Sequence, residues 1–127
     1  MPENYLFEYA VVRVVPRVER EEFMNVGVVL YCPKQKFLQA IISLNEDKLK
    51  AFCQDTDCGE LKLHLESFMK ISNGESTGGP IAALDMPSRF RWLTAIRSTV
   101  VQTSRVHPGL CTDAAATLKK LYEQMVC

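Results

Sequence analysis

The 127 residues carry 15 Lys and Arg against 15 Asp and Glu, so the formal net charge is zero with the two histidines neutral. Hydrophobic residues make up 47% and charged residues 24%, the usage of a globular chain long enough to bury a core without staples. This balance argues against a protein built to hold duplex nucleic acid or anionic lipid. With no long apolar run and no basic leader, it predicts one soluble cytoplasmic domain over residues 1–127 and no membrane contact.

Residues 5–15, YLFEYAVVRVV, are β-branched and aromatic and read as a strand. Both of its faces are largely apolar from Tyr9 to Val15, which predicts a central strand that Pro16 ends. The charged run 16–22 reads as a solvated connection. A second strand follows at 24–31 and a third from Phe37 to Leu44, joined by a polar turn at Pro33 to Lys36. Short links predict an antiparallel meander. The even faces of the second and third strands are purely apolar, so helices are expected there.

Asn45 reads as the N-cap of a short helix carrying Leu49, Phe52 and Cys53. Asp57 and Glu60 resemble a capping box that opens a second helix over roughly 58–71. Residues 72–80, SNGESTGGP, are loop by composition, and a mobile loop is expected over 72–87. Ser88 reads as the cap of a helix with Phe90, Leu93 and Ile96. Thr99 to Thr103 reads as a short strand, and 104–111 as irregular because of Pro108 and Gly109. Thr112 or Asp113 opens a last helix with the stripe Leu118, Leu121, Tyr122, Met125 and Val126. The fold class is α+β: a three- or four-stranded antiparallel sheet with three to four helices packed mainly on one face.

Five cysteines without a leader fit a reducing compartment. Cys53, Cys58 and His64 lack zinc-site spacing, and buried thiols packed as small hydrophobes are the commoner arrangement. No phosphate loop, dinucleotide fingerprint, metalloprotease motif or nucleophile elbow occurs, so neither a metal nor a cofactor is expected.

Three polar constellations remain. Arg13 falls near Gly27 or Asn25 if the first two strands form a hairpin, with Glu22 at the strand entrance able to orient it. Gly27 weakens a strand and so marks a bulge or a close approach. The alternative is structural, with Arg13 paired to Glu22 or Glu8. The second group is Arg97, Ser98, Gln102, Ser104, Arg105 and His107, a polar rim in which Ser104 and His107 could equally satisfy loop backbone. The third is Arg89, Phe90, Arg91 and Trp92, which suits base stacking; helical geometry favours solvated arginines instead.

YAVVRVVPRVEREEFMNVGVVLYCP resembles the opening signature of the uncharacterised bacterial family known as domain of unknown function 3037, with Arg13, Pro16, Glu22, Asn25, Gly27 and Leu30 in its pattern. FRWLTAIRSTVVQTSRVHPGL resembles the family's tail, through Arg97, Ser98, Gln102, Ser104, His107 and Gly109. The likeness covers most of residues 5–126. It implies no activity. It does imply a protein partner, a HipA-like kinase, and both polar segments carry it, so they are expected to meet on the sheet's odd face. The leading expectation is a binding or accessory protein, acting with such a partner or as a homodimer. The alternative is a small enzyme or sensor for a phosphorylated or nucleotide ligand, with Arg13, Arg97 and Arg105 clamping anions and Glu22 or His107 moving protons.

Overall fold

The computed structural model describes residues 4–15, 23–43, 47, 58–95 and 101–126. Among these, five strands form one antiparallel sheet: β1 (Tyr5–Val14), β2 (Met24–Cys32), β3 (Phe37–Ile42), β4 (Val101–Thr103) and β5 (His107–Cys111). Three helices accompany them: α1 (Cys58–Asn73), α2 (Met86–Thr94) and α3 (Ala114–Met125). The short helix expected after Asn45 and the Asp57 cap fall outside the described residues.

The spatial order is β3-β2-β1, and β4 and β5 share the far edge of β1. β4 pairs with Val12 to Val14, and β5 pairs with Tyr5 to Tyr9, so the two behave as one strand interrupted at residues 104–106. The sequence-based expectation of an irregular 104–111 is thus corrected for 107–111. An edge strand tolerates Pro108 because only one side of it joins the ladder. Gly109 lies opposite Phe7, whose ring fills the space a side chain would need: a Cβ on Gly109 would sit 2.5 Å from the ring's Cζ.

Two helices cover one face and the third covers the other, in keeping with packing mainly on one face, while the sheet has five strands where three or four were expected. A four-residue loop, in which Lys36 adopts φ 50°, closes on the pair Cys32 and Phe37. That register pairs even residues of β2 with odd residues of β3, so their even faces point opposite ways. On one face Ala10, Val12, Val14, Val29, Leu38 and Ala40 pack against Leu61, Leu65 and Phe68 of α1 and Phe90 and Leu93 of α2. On the other, Phe7, Val28, Leu30 and Cys32 pack against Ala114 and Leu118 of α3. Full burial of each such aliphatic side chain stabilises by roughly 1.5–3 kcal/mol.

The helix ends are fixed by local chemistry. At the end of α1, Glu75 N–H donates to the Lys70 carbonyl (2.9 Å) and Gly74 N–H to the Ile71 carbonyl (3.1 Å), with Gly74 at φ 69°. The stretch read as loop then folds into two 3-10 turns, Ser76–Gly78 and Pro80–Ala83, and Ala82 packs into the core. Asp85, not Ser88, caps α2: its carboxylate accepts from Ser88 N–H at 2.9 Å. Asp113 caps α3 by accepting from Ala115 and Ala116 N–H. Two side-chain amides clamp α3 to the sheet. Gln35 accepts from Ala114 N–H and donates to the Thr112 carbonyl, both at 2.9 Å, and Asn25 Nδ2 donates to the Met125 carbonyl at 3.2 Å.

Cys32 and Cys111 are buried free thiols beneath α3. Burial, then the neighbouring Cys32, pushes the Cys111 thiol above its ordinary 9.0. The folded state therefore favours the neutral thiol, and the associated stability is present in full below 9.0 and falls as pH rises through the folded value. Urea midpoints measured from neutral pH upward should decline once the pH passes 9.0, and a Cys111→Ala chain should decline less. Equal declines would refute this assignment.

Candidate functional site

The first constellation is built by a β-bulge. β1 and β2 pair as Val12 with Gly27 and then Arg13 with Asn25, leaving Val26 as the extra residue. Gly27 therefore shares a face with Val12 and lies on the opposite face from Arg13. Its reason is packing: a Cβ there would lie 2.5 Å from the Ile41 carbonyl oxygen and 2.8 Å from Ile42 Cγ1. Both expected signs of Gly27, a bulge and a close approach, are present here, and the group that approaches is β3 and not the Arg13 side chain.

Asn25 does stand beside Arg13, and Gln102 of β4 pairs with Arg13 from the other side. Asn25, Arg13 and Gln102 thus form one row across three strands, on the face covered by α3. The Arg13 guanidinium carbon lies 4.2 Å from the centroid of the Phe23 ring, a cation–π contact, and Phe23 is 49% exposed. Arg13 Nε and Asn25 Oδ1 are both buried and have no hydrogen-bond partner among the described residues. The Asn25 amide donor is already engaged at the end of α3. The paired residues thus hold a buried N–H donor and a buried carbonyl acceptor that are unmet among the described residues.

The other candidates are distributed. Ser104 is buried and completes the sheet between β4 and β5. Its N–H donates to the Val11 carbonyl (2.8 Å), its Oγ accepts from Val11 N–H (2.9 Å), and its hydroxyl donates to the Arg105 carbonyl (2.9 Å). His107 pairs with Tyr9, with ring centroids 5.3 Å apart. Tyr9 lies four positions before Arg13 on β1, roughly 13 Å along the strand. Glu22, Arg97 and Ser98 lie outside the described residues.

In the third constellation Phe90 is buried and Trp92 and Arg91 are exposed, as helical geometry predicts. Arg89 departs from that reading: it is 7% exposed and donates from Nη1 to the Ile71 carbonyl at the end of α1. Sequence reasoning missed it because an arginine at the start of an amphipathic helix usually faces water. A cleft of about 150 Å3 between α1, α2 and β4, lined by His64, Phe68, Trp92 and Thr103, is too small for most ligands. Among the described residues no helix is long and apolar enough to cross a membrane.

The family model described as Protein of unknown function (DUF3037) matches residues 9–126. No curated protein and no solved structure matches the chain.

Proposed function

Because the chain belongs to the family described as Protein of unknown function (DUF3037), which brings no activity with it, we propose from the site itself that the protein is a binding module that holds a segment of a protein partner. The row Asn25–Arg13–Gln102 is the contact. The observation that carries this reading is the adjacent donor and acceptor, Arg13 Nε and Asn25 Oδ1, with no partner among the described residues. A peptide unit offers a carbonyl and an N–H, and matches that pair. A phosphate offers acceptors alone and would meet the Asn25 oxygen unfavourably. The exposed Phe23 ring on the guanidinium supplies an apolar wall for the same segment. The family resemblance suggests the partner, a HipA-like kinase in a cytoplasmic setting.

Arg13→Lys keeps the positive charge and the contact with Phe23 but removes the Nε–H donor. In a nuclease-treated pull-down from the native host, the unaltered chain should recover the kinase, and the folded Arg13→Lys chain should bind it about tenfold more weakly. Equal recovery by the folded variant, or no kinase with either chain, would sink the proposal.

A further inference from the structure

We infer that a second site, a cleft of about 480 Å3 between the start of β3, the end of α1 and the start of α2, binds a small oxyanion through Arg89 and Lys36. The volume lies in the range of small-molecule sites. Lys36, Gln39, Asn73, Glu75, Met86 and Arg89 line the cleft. The site is separate from the row at Arg13, and its failure would leave that proposal standing.

Arg89 carries the argument. It is 93% buried, yet its Nε has no hydrogen-bond partner among the described residues, and Nη1 reaches the Ile71 carbonyl only at 3.4 Å. A guanidinium remains charged at any physiological pH and presents five donors. Leaving it buried with one long bond to a neutral carbonyl among the described residues is costly, because the attraction of Asp85 at longer range offsets only part of the desolvation of the charge. Capping α1 does not require this arrangement, since Gly74 and Glu75 already satisfy the Ile71 and Lys70 carbonyls. Instead the fold makes room for the arginine: a Cβ on Gly74 would collide with Arg89 Nη1.

The surroundings set the ligand's chemistry. Lys36 brings a second positive charge from an exposed loop, and the carboxamides of Gln39 and Asn73 can donate as well. Glu75 is the acid among the lining residues, so the cleft keeps a net charge of about plus one and suits a singly charged head. Asp85 caps α2 and attracts Arg89 at longer range, but it is not among the residues that line the cleft. Phe37 and Met86 form an apolar side that accepts a short organic body. The ligand class is a small organic oxyanion, either a carboxylate or a phosphate ester, held by the Arg89 fork.

The test uses the full 15N-labelled chain, with the Arg89 Nε–H and the backbone amides of Lys36, Gln39 and Asn73 followed by NMR. It is titrated with inorganic phosphate and with butyrate, against sodium chloride at matched ionic strength. Saturable shifts at these groups with an oxyanion, and none with chloride, are expected; response to phosphate alone or butyrate alone assigns the head group. Lys36→Glu, on an exposed loop, should keep the fold and weaken binding about tenfold. No saturable shift, shifts reproduced by chloride, or unchanged affinity in the folded Lys36→Glu chain would each overturn the site.

Discussion

Gly27→Val should destabilise the protein by about 3 kcal/mol, at the upper end of what overpacking a core costs. The valine Cβ alone would stand 2.5 Å from the Ile41 carbonyl oxygen, and the obstacle is backbone of the neighbouring strand. A side chain could swing away; β3 cannot, because its pairing with β2 is continuous from Gly27 with Ile42 to Cys32 with Phe37. The bulge would have to be lost and the register of Arg13 with Asn25 with it. A urea denaturation series gives the answer, and a loss below about 0.5 kcal/mol, the level of an ordinary surface change, would show that β3 does yield.

Ser104→Ala is the second large effect expected, about 2 kcal/mol, the penalty for a buried N–H left without an acceptor. The Val11 amide would lose Oγ, and the Arg105 carbonyl would lose its hydroxyl donor. Amide exchange at Val11 should accelerate along with the fall in urea midpoint. Partner binding by the folded fraction should be unchanged, since the hydroxyl is turned into the sheet. Unchanged stability with impaired binding would return Ser104 to the functional site.

The strands β1 to β3 were legible because β-branched and aromatic runs bounded by Pro16, Pro33 and Lys36 leave few alternatives. The position of Arg13 beside Asn25 was legible as one of two registers; the bulge at Val26 that chooses between them is not, because one inserted residue changes no composition. The helix on the second face was hidden by the four-residue loop, whose length sets even residues of β2 against odd residues of β3. Asp113 was readable as a cap from its place before the apolar stripe, whereas Asp85 was masked by Met86 and Pro87 and the competing Ser88. β5 was missed because Pro108 and Gly109 are turn residues in most settings, and only the edge position and the Phe7 ring make them acceptable. The buried Arg89 had no signal in sequence, since its burial depends on Gly74 from a different helix end.

The pairing of β1 has a consequence for synthesis. β1 emerges from the ribosome before its neighbours, β2 and β3 can join it early, and its other edge waits for residues 101–111. Val11 and Ser104, which bond across that edge, are 93 positions apart. Throughout that interval one of the most apolar strands in the chain presents an open row of backbone donors and acceptors, the template on which strands from other chains can add. The nascent polypeptide is thus most vulnerable to misassembly just before residues 101–111 arrive, and the interrupted strand of β4 and β5 acts as the piece that closes the sheet.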